Sequence, residues 1–270
     1  MPRRSQLYVP GNNEKMVKKS ITLDCDSVIL DLEDSIPDGE KDSARDRVAK
    51  WASEEDWGKK ELCVRINSAS TPWGRADIER LKSIERINAI VVPKSEGDLS
   101  LVHEKTGKML IPIIETGKGL LGIEKVAQSN GVDALAYGAA DFANSVGGTI
   151  KAYLDNPYVK TKLAVVATAL GIDPINNVFF DLVDSKGFRL QAGRARDLGF
   201  VGAQVIHPSQ ILPANKIFTT NRQETEWATK VMEEYETARK IGRGAISVDG
   251  QLVDEVHYKI AKRVIERSEP

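Results

Sequence analysis

Eight times along this chain a short apolar or β-branched run gives way to a segment in which apolar residues recur at helical spacing. Strands and helices that alternate in this way cover both faces of a parallel sheet, so the pattern confines the chain to α/β architecture. The strand-like runs fall at Gln6–Val9, Ser27–Leu32, Leu62–Asn67, Ala89–Pro93, Met109–Ile114, Ala134–Tyr137, Asn177–Asp181 and Gly202–Ile206. Helices are expected at Glu14–Leu23, Gly39–Trp51, Gly74–Ile84, Gly97–Lys105, Gly119–Gln128, Val159–Leu170, Lys186–Leu198 and Gln210–Phe218. Eight such units close into a TIM (β/α)8 barrel, and 270 residues are enough to build one. An open doubly wound sheet, the alternative, would more often be shorter and carry one Gly-rich crossover near its start.

The barrel is complete by Phe218, which makes residues 1–220 the expected catalytic domain. Residues 221–270 add a charged helical stretch from Asn221 to Ile241, the Gly-interrupted β-forming segment GRGAISVDGQLVD, and an amphipathic helix from Glu255 to Arg267. This C-terminal helical extension is expected to pack on its own barrel or on a neighbouring subunit.

Formal net charge is −1 with 29% charged residues, so both signs are spread over the surface and nucleic acid is not an expected partner. Cys25 and Cys63 lie in no metal or redox spacing and read as small buried hydrophobes of a reducing cytoplasm. No apolar run approaches the roughly 20 residues that cross a bilayer, and MPRRSQLYV lacks the apolar core of a signal peptide. A soluble, cytoplasmic protein with no membrane partner is expected.

Chemistry in a barrel gathers where the strands end. Those positions carry Tyr8, the acids Asp31, Glu33 and Asp34, then Arg65, Lys94, Glu115, Asp141, Asp181 and His207. Glu115 follows IPII and Asp141 follows ALAYGAA; two acids at neighbouring strand ends can share one Mg²⁺, leaving positions for water and substrate oxygens. Each could equally cap the helix that follows it. Arg65 follows LCV and needs an acidic partner or a substrate oxyanion; Glu33 or Asp34 is the expected partner, although the acidic turn could also be merely solvated. Gly138, Ala139 and Ala140 could offer backbone N–H groups to a substrate carboxylate. Lys15, Lys18 and Lys19 lie near one helix face, suited to phosphates or simply to water.

The segments RSQLYVPGNNEKMVKK, SVILDLEDSIPDGEKDSAR, CVRINS, VVPKSE, IIETGKGLL, YGAADF, VFFDLVD and QVIHPSQI together resemble the citrate lyase beta-subunit-like family of the HpcH/HpaI aldolase superfamily, in order along the chain. The resemblance implies a TIM barrel that makes or breaks a C–C bond between an acyl-CoA enolate and a 2-oxo acid with Mg²⁺. It makes Glu115 and Asp141 metal ligands, Arg65 the enolate-stabilising arginine, and Glu33 and Asp34 its acidic support. Tyr8, Lys15 and Lys19 become contacts to the CoA thioester, and Phe180 and Asp181 a further strand-end contact. GAISVDGQLVDEVHYKIAKR resembles the C-terminal segment of citramalyl-CoA and malyl-CoA lyases, in which an aspartate, here Asp254, serves a neighbouring subunit's site as acid or base.

The expected activity is therefore Mg-dependent cleavage or formation of a 3-hydroxyacyl-CoA such as malyl-CoA, citramalyl-CoA or citryl-CoA by a homo-oligomer, trimer or hexamer. Two alternatives remain: a citrate lyase beta subunit acting on an acyl-carrier-protein thioester, and a non-catalytic barrel that binds CoA or a dicarboxylate.

Overall fold

The computed structural model describes residues 1–268. Eight parallel strands, β1 (Ser5–Pro10), β2 (Ser27–Asp31), β3 (Glu61–Arg65), β4 (Ala89–Val92), β5 (Met109–Ile114), β6 (Ala134–Tyr137), β7 (Asp173–Asn176) and β8 (Gly202–Val205), pair in sequence order, and β8 returns to β1 to close the barrel. The helices of this unit are α1 (Glu14–Ile21), α2 (Lys41–Glu54), α3 (Pro72–Leu81), α4 (Ser100–Thr106), α5 (Gly117–Leu121), α6 (Ile123–Ala127), α7 (Ala139–Ser145), α8 (Ile150–Tyr153), α9 (Pro157–Leu170), α10 (Ser185–Asp197) and α11 (Pro208–Phe218). This is the TIM barrel that the alternation predicts.

Local chemistry sets the helix ends. Asn13, Thr71 and Asn156 accept N–H bonds at the starts of α1, α3 and α9, with Pro72 and Pro157 in the first turn. Gly107 and Gly171 close α4 and α9 in the left-handed conformation. Gly122 divides the expected Gly119–Gln128 helix into α5 and α6.

One strand lies elsewhere than expected. The seventh is Asp173–Asn176, whose DPIN pairs with β6 and β8, while Asn177–Asp181 forms the loop after it. Proline argues against a central strand, yet Pro174 takes its place in this one opposite Leu135. The apolar trio that imitated a strand is used differently: Phe179 is buried against Phe188, ring centroids 6.1 Å apart, and Phe180 remains half exposed.

Alternate residues of the strands fill the barrel with Ile29, Cys63, Val91, Ile111, Ile113, Ala136 and Ile175. Cys25 and Cys63 are free and buried. Below this layer, at the N-terminal ends, Arg3 donates to Glu61 at 2.6 Å and to Asp133 at 2.7 Å, and lies 3.4 Å from Asp173. Ser27 donates to Glu61 at 2.6 Å. One guanidinium thus gathers three acids at this end of the barrel, with no part in the strand ends at the other face.

A second compact unit begins at Ile217. It comprises α12 (Arg222–Lys240), started by the Asn221/Glu224 capping box, a hairpin of β9 (Ala245–Val248) and β10 (Gln251–Asp254), and α13 (Glu255–Ser268). Positive φ at Asp249 and Gly250 gives the tight two-residue turn. Val231, Tyr235, Val248, Val253 and Ala261 form its own core. Among the described residues no helix is long and apolar enough to cross a membrane.

Replacing Arg3 by leucine leaves three acids gathered without a cation, a mechanism that costs about 3–5 kcal/mol. Urea unfolding of Arg3→Leu is expected to show that loss as a lower midpoint with an unchanged slope.

Candidate active site

The pairing of β2 with β3 sets Asp31 directly beside Arg65. Arg65 donates through Nε to Asp31 Oδ1 at 2.6 Å and through Nη2 to Asp31 Oδ2 at 2.8 Å, a two-pronged ion pair inside the barrel's C-terminal mouth. Nη1 donates to Asp34 at 3.2 Å and lies 3.1 Å from Glu33 Oε2 without hydrogen-bond geometry. The guanidinium also faces the Tyr8 ring, 5.0 Å from its centroid. Burial works against its charge, but Asp31, joined by Tyr8 and Glu33, holds the Arg65 pKa well above its ordinary value. The Asp31 pKa is held below its ordinary value: burial pushes it up, and Arg65, with hydrogen bonds from Ser35 and Glu33, more than reverses this.

The partner expected for Arg65 was Glu33 or Asp34; the principal partner is Asp31. Strand register explains why. Asp31 is the last paired residue of β2, whereas Glu33 and Asp34 lie in the turn beyond it. That turn is fastened by Asp31 accepting from the N–H groups of Glu33 and Ser35, and by the buried Lys41 donating to the carbonyls of Leu32 and Glu33.

Glu115 immediately follows β5 and is buried. Its Oε1 accepts the N–H of Lys94 at 2.6 Å, and its Oε2 lies against Gly138, where a Cβ would come within 2.5 Å. Only glycine lets the carboxylate lie so close to that backbone. Asp141 is not at a strand end: it stands in the first turn of α7, where an acid suits the helix N-terminus. Burial, then the charge of Glu33, pushes Glu115 up to about 8, with Asp141 adding to the effect. Burial likewise raises Glu33 despite Arg65 and Lys94.

These groups border a cavity of about 480 Å³. Of the residues expected at the site, Tyr8, Asp34, Arg65, Glu115, Gly138, Ala139, Ala140, Asp141 and Phe180 line it. Glu33 stands behind it, buried and joined to Lys94 Nζ at 2.6 Å. Lys15 and Lys19 are exposed on α1 outside the lining, which instead receives Met16 from between them. Asp181 is also outside: it is exposed and accepts the N–H groups of Val183 and Asp184 in a turn. Asp254 belongs to the second unit, where it accepts the Val256 N–H at 3.0 Å and pairs with His257 Nδ1 at 2.8 Å. His257 holds the Asp254 pKa below its ordinary value.

Sequence reading missed Gln204. Its Oε1 accepts the Tyr8 hydroxyl at 2.7 Å and its Nε2 donates to the Tyr137 carbonyl at 3.1 Å, fixing Tyr8 from inside the barrel. Nothing local marks Gln204; its position in β8, which pairs with β1, is the signal.

Among the described residues, no three His, Cys, Asp or Glu side chains are gathered to enclose a metal ion. Glu115 and Asp141 nevertheless fit a hard divalent cation with oxygen ligands. Five carboxylates, Asp31, Glu33, Asp34, Glu115 and Asp141, face two cations, Arg65 and Lys94, and burial together with the charge of Glu33 raises the Glu115 pKa. A two-carboxylate site is ordinary for Mg²⁺, which keeps water and substrate oxygens in its other positions.

A parallel barrel with its charged residues at the C-terminal strand ends is the arrangement of barrel enzymes. Residues 4–208 match the family described as HpcH/HpaI aldolase/citrate lyase, and the chain belongs to that family. It is 34% identical over 289 residues to the mitochondrial citramalyl-CoA lyase of Rattus norvegicus, covering 98% of this chain and 86% of that protein. It is 31% identical over 274 residues to a (3S)-malyl-CoA thioesterase of Cereibacter sphaeroides, covering 99% and 95%. Among solved structures, CitE from Mycobacterium tuberculosis in complex with magnesium, acetoacetate and coenzyme A superposes with a TM-score of 0.83 at 27% identity, covering 100% of this chain and 98% of that one.

Without a cation Glu115 keeps its proton to about pH 8 in the folded protein, against 4.5 ordinarily. Across that window the folded state binds a proton that the unfolded state has lost, so stability falls as pH rises. The thermal midpoint of chelator-treated protein is expected to fall more steeply between about pH 5 and about pH 8 than that of Glu115→Gln. Mg²⁺ added at the upper pH should raise the midpoint of the wild type alone, read by differential scanning fluorimetry.

Proposed function

We propose that this chain is a carbon–carbon lyase that cleaves a short carboxylated 3-hydroxyacyl-CoA, of the citramalyl-CoA or malyl-CoA type, into acetyl-CoA and a 2-oxo acid, or runs the reverse condensation. The observation that carries the reading is the cavity that sets Glu115 and Asp141 opposite a guanidinium locked in place by Asp31. Similarity to a citramalyl-CoA lyase over almost the whole chain supports it.

Glu115 and Asp141 would hold Mg²⁺, which supplies Lewis-acid polarisation of the oxygen on the carbon being cleaved. In cleavage the 3-hydroxyl gives up its proton to water, and the C3–O bond becomes the carbonyl of the 2-oxo acid as the C2–C3 bond breaks. The electron pair moves into the thioester as an enolate, whose carbon then takes up a proton. Arg65 would bind that enolate oxygen. Because Asp31 already fixes the guanidinium, little reorganisation accompanies the build-up of charge. Gly138–Ala140 would meet the substrate carboxylate, and Tyr8 and Phe180 the thioester arm. Lys15 and Lys19 would meet CoA phosphates, and Asp181 would shape the loop that carries Phe180. Asp34, half exposed and only loosely bound to Arg65, would yield its contact to substrate, while Glu33 stays behind.

Asp254 would exchange the proton at the enolate carbon. Its pairing with His257 keeps it ionised, the form needed to take a proton in condensation. We further propose that residues 221–270 deliver it to a neighbouring copy's barrel in a homotrimer or hexamer. Two free, buried cysteines support a reducing, cytoplasmic setting. A binding-only barrel is disfavoured because recognition alone gives no reason to bury Glu115 with a backbone N–H rather than a cation as its partner.

With Mg²⁺ and a short hydroxyacyl-CoA, coupled detection of glyoxylate or pyruvate should show turnover. Arg65→Ala should lower kcat by about 10²-fold or more with a smaller change in KM. Asp254→Ala should be similarly slow, and mixing the two variants under subunit exchange should recover activity through hybrid sites. Absence of turnover on every such thioester would end the lyase reading.

A further inference from the structure

Lys94 is used by neither the metal pair nor the proposed reaction, and its backbone is the unusual one. After β4 and Pro93 it turns to φ 49°, in the left-handed region. Among the described residues the only other non-glycine there is Asp249, which occupies a hairpin turn suited to it. Lys94 belongs to no hairpin; a residue with a Cβ persists in this conformation where its surroundings impose it. The conformation accompanies two short contacts from one residue. The Lys94 N–H donates to Glu115 Oε1 at 2.6 Å, and its Nζ donates to Glu33 Oε1 at 2.6 Å. Glu33 in turn stands 3.1 Å from Arg65 Nη1. Were the backbone contact alone required, glycine would make it without strain; the lysine adds the link to Glu33.

We propose that Lys94 is a positioning residue joining the two halves of the site. Its N–H engages one oxygen of Glu115 and so leaves Oε2 as the oxygen for a divalent cation, while its ammonium holds Glu33 beside Arg65. This rests on the metal reading given above. Backbone and side chain therefore have separable effects. Lys94→Gly keeps the left-handed turn and the N–H but removes the ammonium. Lys94→Val removes the same charge and also disfavours the turn, because a β-branched residue avoids positive φ. The difference between these two variants isolates the backbone contact.

Mn²⁺ affinity, measured by electron paramagnetic resonance of the free ion, should be about tenfold or more weaker in Lys94→Val than in Lys94→Gly, the usual scale for losing a ligand's supporting hydrogen bond. In Lys94→Gly kcat should fall about tenfold or more with KM for the acyl-CoA little changed, and Lys94→Arg should recover most of it. Lys94→Ala, a milder distortion, should fall between Gly and Val in Mn²⁺ affinity and serves should Val not fold. Equal Mn²⁺ affinity across Gly, Ala and Val, or an unchanged kcat in Lys94→Gly, overturns the inference. Wild-type protein that binds no Mn²⁺ instead overturns the metal reading beneath it.

Discussion

The ion pair between Asp31 and Arg65 is the interaction on which the site depends. Both residues are the last of their strands, and parallel pairing places them side by side, so the geometry of the guanidinium is inherited from the sheet rather than from a loop. Held at Nε and Nη2, it cannot rotate away, and the Tyr8 ring covers its face. A group fixed before the reaction is one whose charge is available without rearrangement. Tyr8 is itself fixed through Gln204 on β8, so the constraint passes around the barrel's seam.

Around this fixed cation the mouth collects more negative charge than it can neutralise. The opposite end of the barrel makes the contrast plain. There Arg3 meets Glu61, Asp133 and Asp173 with Ser27 completing the set, in a cluster that closes the barrel and presents nothing to a ligand. At the C-terminal end the acids come from β2, the turn after it, the end of β5 and the start of α7, and burial first, then the charge of Glu33, raises the Glu115 pKa. One end of the same barrel closes three acids around a single cation, and the other turns its acids and cations toward a cavity. Lys94 adds the second cation there and contacts both Glu115 and Glu33.

Much of this was legible in the residues because strands that bury both faces announce themselves as apolar runs. Arg65, Glu115 and the acidic turn could be placed at strand ends from such runs alone. The reading failed where local propensity and pairing disagree. DPIN carries a proline and looks unlike a strand, while VFF looks like one, yet only the first is flanked by β6 and β8 at the right register. Asp141 reads as either a strand end or the acid of a following helix, and the two alanines before it, good helix formers, already belong to that helix. Lys15, Lys19 and Asp181 were drawn toward the site by motif, and their side chains remain in solvent outside the cavity lining.

By itself the sequence determined the barrel, the strands that carry charge, and the family, since periodicity and short motifs are properties of neighbouring residues. Tertiary structure alone decided that Asp31 is the principal partner of Arg65, with Asp34 and Glu33 secondary, that Gly138 makes room for Glu115, that Gln204 anchors Tyr8, and that Lys94 contacts both Glu115 and Glu33. Each of these joins residues from different strands or loops, and such contacts follow from register and closure, which no stretch of chain specifies alone.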